Sequence, residues 1–115
     1  MSKDVIDRVR SIVDTLENPP LLDGMEKYDL GYEEQDEAYL SAYDYLSTVL
    51  DIVHYVTDDR DYLGTRVMVA FGGPTIWVDT YKRTVEGQWW GDTFTSSFDD
   101  TIGLTEACED MYNSY

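Results

Sequence analysis

Acidic side chains recur at a spacing that would place a row of carboxylates along one helix. Glu37, Asp44, Asp51 and Asp58 are seven residues apart, in a segment whose apolar residues have a helical period. Successive carboxylates would be about 10 Å apart along the axis. Such a row can imitate a nucleic-acid backbone, because a cleft that neutralises phosphates with Lys and Arg would meet carboxylates instead. We therefore expect a basic partner to be bound by Glu33, Glu34, Glu37, Asp44, Asp51, Asp58, Asp59 and Asp61.

The charge of the whole chain points to the same kind of partner. In 115 residues, 24 acidic side chains face 8 basic ones, which leaves a net charge of −16. This charge disfavours direct binding to nucleic acid or to an anionic membrane, and it favours a basic nucleic-acid-binding protein. A homodimer would enlarge the acidic surface, and the sequence allows either state. A second interpretation is adaptation to a high-salt cytoplasm, since Asp outnumbers Glu and Arg outnumbers Lys.

Aromatic residues form the second unusual group, with ten Tyr and three Trp. Most of Tyr39, Tyr43, Trp89 and Tyr112 are expected in the core. We expect Trp77, Tyr81 and Trp90 to anchor a partner, because exposed aromatic rings beside carboxylates suit an Arg-rich surface. The alternative function is an accessory module that binds a protein through an aromatic sheet face, with the acidity serving solubility.

Catalytic, metal and cofactor sites find no support in the sequence. His54 and Cys108 are single residues without a catalytic motif, and one Cys with one His cannot form an ordinary zinc site. Residues 59–64 begin like a calcium loop, but Leu63 replaces an oxygen ligand. Gly72-Gly73-Pro74 predicts a hairpin turn. A lone cysteine and the absence of a long apolar run predict a cytoplasmic protein of the host cell. The absence of a catalytic motif predicts that the protein is not an enzyme.

The periodicity of apolar residues predicts three helices in one domain. The first extends from the cap Ser2 to Glu17, and a loop follows over residues 19–31. The second extends from about Glu33 to Val56. The last extends from about Leu104 to Tyr112, with Thr101 or Asp100 as its cap.

Three segments rich in β-branched and aromatic residues predict an antiparallel meander: Arg66 to Phe71, Ile76 to Tyr81 and Val85 to Trp90. If Phe71 pairs with Ile76 and Tyr81 with Thr84, the core face carries Val67, Val69, Phe71, Ile76, Val78, Val85 and Trp89. The opposite face then carries Arg66, Met68, Trp77, Asp79, Tyr81, Glu86, Gln88 and Trp90. The predicted fold is α+β, a three-stranded antiparallel sheet packed with helices in the order α-α-β-β-β-α.

The segments Met68–Thr80 and Gln88–Asp92 carry a family resemblance, which extends mainly over residues 66–112. They resemble a family of small acidic proteins carried by bacterial phages and conjugative elements. The resemblance implies a genomic setting and supplies no catalytic residues. In size, charge and mixed helix and sheet content, the chain is also similar to anti-CRISPR and anti-restriction inhibitors, several of which mimic nucleic acid. This likeness of type implies an inhibitor of a host defence nuclease.

Overall fold

The computed structural model describes residues 3–114 and has an α+β fold. Its helices are α1 (Lys3–Glu17), α2 (Gly24–Leu30), α3 (Ala42–Leu46) and α4 (Leu104–Asn113). Its strands are β1 (Asp51–Val56), β2 (Tyr62–Ala70), β3 (Thr75–Asp79), β4 (Thr84–Trp89) and β5 (Asp92–Ser97). The strands form one antiparallel sheet in chain order, so each strand pairs with its neighbours in sequence.

The predicted first and last helices and the three predicted strands are all present, although β2 begins four residues earlier than predicted. The predicted order α-α-β-β-β-α is wrong, because the loop predicted over residues 19–31 contains α2 and the sheet has two more strands. The cap predicted at Ser2 lies outside the described residues. The prediction of three strands is wrong, because β1 and β5 extend the meander on both sides to five strands. Strand β5 lies between the last predicted strand and the last predicted helix, where the sequence predicts no strand. Its Thr and Ser side chains alternate around the half-buried Phe94 and suit a solvated edge strand.

The long second helix predicted over residues 33–56 does not exist. Its centre is the five-residue helix α3, and its second half is the edge strand β1. Ser41 caps α3 in a capping box with Asp44, and Ser47 ends it. After that point Ile52, Val53, Tyr55 and Val56 favour an extended chain, which pairs with β2. Strand pairing therefore overrides the helical period of the apolar residues.

The strand register also differs from the prediction. Ile76 pairs with Ala70 instead of Phe71, because a bulge follows Met68, and Thr84 pairs with Asp79 instead of Tyr81. Phe71 is consequently 75% exposed, so its assignment to the core was wrong. Tyr81 and Trp90 lie in turns instead of on the sheet face. The faces of the strand interiors were predicted correctly, since Val67, Ile76, Val78 and Val85 are all buried.

Two helices cover the apolar face of the sheet. Helix α1 packs on β4 and β5, and α4 packs on β2. The close approach of α1 depends on Gly87, because a Cβ atom at this position would lie 2.8 Å from a methyl of Val9 and 2.9 Å from a methyl of Val5. The opposite face of the sheet carries polar and aromatic side chains. Within residues 3–114, no helix has the length and apolar character to cross a membrane.

The N-cap residue of α4 is Gly103 instead of the predicted Thr101 or Asp100, and Gly103 has no capping side chain. Asp100, three residues earlier, nevertheless supplies the capping hydrogen bonds. Its carboxylate accepts hydrogen bonds from the backbone N–H groups of Leu104 at 2.7 Å and Thr105 at 2.8 Å. Burial alone would raise the pKa of Asp100, but the hydrogen bonds from Thr105 and Leu104 outweigh burial and lower it. The charged form of Asp100 therefore stabilises the fold.

Replacing Asp100 with alanine is expected to lower the free energy of unfolding by about 1 kcal/mol at neutral pH, as is usual for a lost helix cap. Because the pKa is lowered in the folded chain, this stabilisation exists above the unfolded carboxyl pKa of about 3.9 and is lost as the pH falls through the folded value. Urea unfolding at neutral and acidic pH measures both effects. Asp99→Ala is the control, and an equal loss in it would contradict the capping role.

Candidate binding surface

The segment between Leu22 and Ala38 is rich in acidic residues, and its two ends lie side by side. Its base is a short antiparallel ladder, in which the Leu22 N–H donates to the Ala38 carbonyl and the Leu40 N–H donates to the Pro20 carbonyl, both at 2.8 Å. We call residues 23–37 the acidic arm. The arm contains α2, which Asp23 and Glu26 close with a capping box and in which no residue is buried. Seven carboxylates and one cation, Lys27, lie in the arm.

The carboxylates predicted in one helical row lie in four different places. Glu33, Glu34 and Glu37 are exposed in the acidic arm, and Asp44 is on α3. Asp58, Asp59 and Asp61 are exposed in the turn between β1 and β2. Asp51 begins β1, at the other end of that strand, so it lies about 17 Å or more from the turn and does not join the others. The predicted row with a seven-residue period is therefore wrong.

A hydrogen bond connects the acidic arm to α3. The Tyr32 hydroxyl donates to Asp44 Oδ2 at 2.8 Å, and Asp44 also accepts the Ser41 N–H in the capping box. This bond to Asp44 is the main reason why the pKa of Tyr32 is raised. Burial would raise the pKa of Asp44, but the bonds from Tyr32 and Ser41 lower it overall. The Tyr32–Asp44 hydrogen bond thus holds the arm beside α3, and the lowered pKa keeps the Asp44 carboxylate charged.

Two further tyrosines continue this connection across α4. The Tyr43 hydroxyl on α3 donates to Asp110 Oδ2 at 3.1 Å, which raises the pKa of Tyr43. The Tyr112 hydroxyl donates to the Arg60 carbonyl in the turn between β1 and β2, also at 3.1 Å. Burial chiefly raises the pKa of Tyr62, beside that turn, and the Glu109 carboxylate adds to the rise. Helix α4 therefore lies between α3 and the acidic turn.

These contacts place the arm, α3, α4 and the β1–β2 turn next to one another. Eleven carboxylates of these elements make up what we call the acidic band. Three of them, Glu106, Glu109 and Asp110, are exposed on α4 and were not predicted. Their three- and four-residue spacing on a correctly predicted helix could have revealed them. The acidic band consists of Glu33, Glu34, Asp36, Glu37, Asp44, Asp58, Asp59, Asp61, Glu106, Glu109 and Asp110.

Positive charges are unevenly distributed. Arg60 lies within the acidic band, and Lys27 lies beside it, with its Nζ 3.3 Å from the Glu34 carbonyl. The remaining cations are on α1, on the open face of the sheet and in the turn after β3: Lys3, Arg8, Arg10, Arg66, Lys82 and Arg83. Because α1 covers β4 and β5 while α4 covers β2, the three cations of α1 lie away from the acidic band, whereas Lys82 and Arg83 lie at the same end of the sheet as the β1–β2 turn.

Two of the predicted aromatic anchors lie near the open sheet face. The guanidinium of Arg66 lies 4.3 Å from the centre of the Trp77 ring, so one face of that ring is already covered. Tyr81 is 60% exposed, and its ring centre lies 6.3 Å from that of Tyr55. The Tyr55 hydroxyl donates to the buried Asp79 at 2.9 Å. Several aromatic and polar side chains of this face therefore already contact one another.

The third predicted anchor is fully presented to solvent. Trp90 is 85% exposed in the turn between β4 and β5. Among the residues expected in the core, Tyr39 and Tyr43 are instead exposed, while Trp89 and Tyr112 are half-buried. The helix that would have buried Tyr39 and Tyr43 is absent, which explains the error.

Cys108 is fully buried, and His54 is half-buried. His54 is on β1, with Nδ1 2.8 Å from the Thr65 hydroxyl, and its ring contacts Tyr112 edge to face. The Tyr62 hydroxyl also meets Thr65, at 2.6 Å. Burial raises the pKa of Cys108 to about 11, so its thiol is protonated at neutral pH. This arrangement suits a packed polar cluster between the sheet and α4.

Within residues 3–114, no group of three or more His, Cys, Asp or Glu side chains is arranged to hold a metal ion. The geometry offers two surfaces for a macromolecular partner, the acidic band and the aromatic residues at the sheet. Comparisons with protein-family models, with curated proteins and with solved structures find no match for the chain.

Proposed function

We propose that the chain is a non-enzymatic inhibitor from a phage or another mobile element, of the anti-CRISPR or anti-restriction type. It mimics nucleic acid and blocks the basic nucleic-acid-binding channel of a host defence nuclease. The observation that supports this proposal best is the acidic band, in which tyrosine hydrogen bonds hold carboxylates of the arm, α3, α4 and the β1–β2 turn together. A channel that neutralises phosphates would accept such a surface through the same Lys and Arg side chains.

The separation of charges supports the same proposal. Carboxylates spread evenly over the surface would give solubility without a preferred orientation toward a partner. Here eleven carboxylates and one cation, Arg60, lie in the acidic band, which therefore carries −10 of the net charge of −16 and gives the protein an electrostatic polarity. Such polarity steers a basic partner toward one side and speeds association. Binding should accordingly be fast and should weaken as salt is added.

A displacement assay tests the proposal. A labelled target duplex is bound to each of a panel of guide-loaded CRISPR effectors and restriction enzymes, and fluorescence anisotropy follows its release by the protein. We expect release by the wild type and about tenfold weaker competition by Glu33→Lys/Glu37→Lys, since each tenfold change corresponds to about 1.4 kcal/mol. Asp7→Lys/Asp14→Lys makes the same change in net charge on the exposed side of α1 and should stay within about threefold of the wild type.

Two outcomes of this assay would overturn the proposal. One is that no member of the panel releases its duplex. The other is an equal loss in both double variants, which would mean that total charge matters and the acidic band does not. Retention of the target from a host lysate at low salt, followed by elution with a salt gradient, identifies partners outside the panel.

High-salt adaptation makes a different prediction for the same acidity. A protein whose fold depends on screened carboxylates unfolds when salt is removed. The inhibitor stays folded in dilute buffer and binds its partner more tightly there. Circular dichroism during dialysis into salt-free buffer separates the two interpretations.

The open sheet face supports a second candidate, an accessory module that binds a protein. It presents Trp77 with Arg66 stacked upon it, and no part of α1 or α4 covers it, since both helices pack on the opposite face. If Trp77→Ala removes partner binding while reversal of the arm carboxylates changes nothing, this function replaces the inhibitor.

A further inference from the structure

A groove at one end of the sheet lies between the β2–β3 turn and the β4–β5 turn. Its volume is about 580 Å³, and its lining includes Thr75, Gln88, Trp89, Trp90 and Asp92. This volume lies within the range of about 300–1,000 Å³ that is common for ligand sites. The lining contains no Lys or Arg side chain. The groove is separate from the acidic band.

Trp90 is an unfavourable residue for the turn that it occupies. It has a φ of 52° and precedes Gly91 with a φ of 84°, the pair of positive values that characterises a two-residue type I′ turn. Asn, Asp or Gly suits the first of these positions, whereas a bulky side chain there is strained. A tryptophan that is both strained and 85% exposed is stabilised little by its own fold. Such features concentrate at binding sites.

Trp89 lies between the Trp90 ring and the β2–β3 turn. The centres of the two tryptophan rings are 5.6 Å apart, and the rings are nearly perpendicular. Trp89 in turn packs on the backbone of the β2–β3 turn, because a Cβ atom on Gly73 would lie 3.0 Å from its Cζ3. The contact with Trp89 therefore restricts the Trp90 ring on one side and leaves its exposed surface available to a ligand.

The chemistry of this groove suits a cation with a flat shape. The face of a tryptophan ring attracts positive charge, and the exposed Asp92 adds a carboxylate at the same place. Within the protein itself, Arg66 lies over Trp77 at 4.3 Å and Arg10 lies over Phe94 at 5.8 Å. A guanidinium stacks on an aromatic ring and forms several planar hydrogen bonds, which the Gln88 and Thr75 side chains can accept, whereas an ammonium group is compact and strongly hydrated.

We propose that the Trp90 groove binds an arginine side chain of the basic partner, with the guanidinium stacked on Trp90 and paired with Asp92. The inference rests on the proposed function for the existence of a basic partner, and it adds a specific side chain and a second contact away from the acidic band. The net charge of −16 attracts an arginine and provides no comparable attraction for a neutral ligand.

Peptide binding followed by NMR tests this proposal on the intact protein. The probe is a short capped peptide of alternating glycine and arginine, compared with the same peptide containing citrulline, which keeps the shape and removes the charge. We expect the arginine peptide to shift the indole N–H signal of Trp90 at about 0.3 M NaCl, where general attraction is screened. The citrulline peptide should have little effect, and a lysine peptide should bind more weakly.

The key variant is Trp90→Asn, because asparagine is favoured in this turn and the fold should be retained. We expect it to bind the arginine peptide about tenfold more weakly, in line with a loss of cation–π contact. Trp90→Phe should recover part of the affinity, and Tyr39→Ala, which removes an exposed aromatic ring outside the groove and the acidic band, should leave it unchanged. Unchanged affinity in Trp90→Asn, or equal binding of both peptides, would overturn the proposal.

A neutral sugar is the remaining ligand class to which a tryptophan face is suited. If a neutral oligosaccharide such as maltohexaose shifts the Trp90 signal and the arginine peptide does not, the arginine proposal is wrong. Glu33→Lys/Glu37→Lys should keep the Trp90 response to the peptide while losing duplex displacement. The experiments can therefore contradict the arginine proposal and the proposed function independently of each other.

Discussion

Replacing Gly64 with alanine is expected to destabilise the protein by about 3 kcal/mol or more, a large part of the stability of a small domain. Gly64 lies on β2, and an added Cβ atom would be 2.6 Å from the Cβ of Tyr81 and 3.1 Å from its Cα and N. The chain cannot move away easily, because the Thr80 N–H donates to the Thr65 carbonyl and the Thr65 N–H donates to the Thr80 hydroxyl. The added methyl group would therefore clash with the backbone of Tyr81, which the two hydrogen bonds between Thr65 and Thr80 hold in place.

Equilibrium unfolding in urea, followed by circular dichroism, measures this effect. Gly24→Ala is the matched control, because it adds the same methyl group at the start of α2, where nothing lies within 4 Å of the new atom. It should be neutral or slightly stabilising, since alanine is the better helix former. If both variants have the same stability, the close approach of β2 to Tyr81 is not as described.

The parts of the fold that could be predicted are those with a strong local signal. Helix α1 has apolar residues at every helical repeat and ends before two prolines, and α4 has a capping aspartate and a short apolar face. The three central strands are rich in β-branched residues and are separated by turn residues. In these segments the period of the apolar residues and the intrinsic preferences of the residues for helix or strand indicate the same structure. The tertiary contacts agree with both.

The segment of residues 33–56 shows why the rest could not be predicted. Its apolar residues fit a helical period, yet Ile52, Val53, Tyr55 and Val56 favour a strand when a partner strand is present. The partner is β2, which pairs with β1 along its length. Only this pairing, a contact between distant parts of the chain, decides between the two structures.

The candidate site was predicted in its residues more than in its geometry. The acidic residues of the arm and of the β1–β2 turn were identified, but the helix expected to align them is absent. Three tyrosine hydroxyls, of Tyr32, Tyr43 and Tyr112, connect these segments instead. Such long-range hydrogen bonds leave no periodic pattern in the sequence. Trp90 was identified because the predicted register placed it on the outer sheet face beside carboxylates, although it lies in a turn and not on that face.

Excision of the acidic arm is expected to weaken competition with nucleic acid at least about a hundredfold while the fold survives, a change of about 2.7 kcal/mol. The Leu22 N–H donates to the Ala38 carbonyl, so these two residues face each other across the ladder at the base of the arm, where a two-residue turn can join them. Asn-Gly can therefore replace residues 23–37. Because α2 buries no residue, the free energy of unfolding should change by no more than about 1 kcal/mol.

The displacement assay and urea unfolding together measure this prediction. The variant keeps most of the acidic residues of the chain, so a strong loss of competition would show that the location of charge matters more than its amount. Asp7→Lys/Asp14→Lys/Asp99→Lys is the control, because it makes the same change in net charge outside the acidic band. If this control loses as much competition as the excision does, position is irrelevant and general electrostatic attraction explains the binding. If the excision alone has no effect while the protein still competes, the partner must contact α4 and the β1–β2 turn, and the arm serves another purpose.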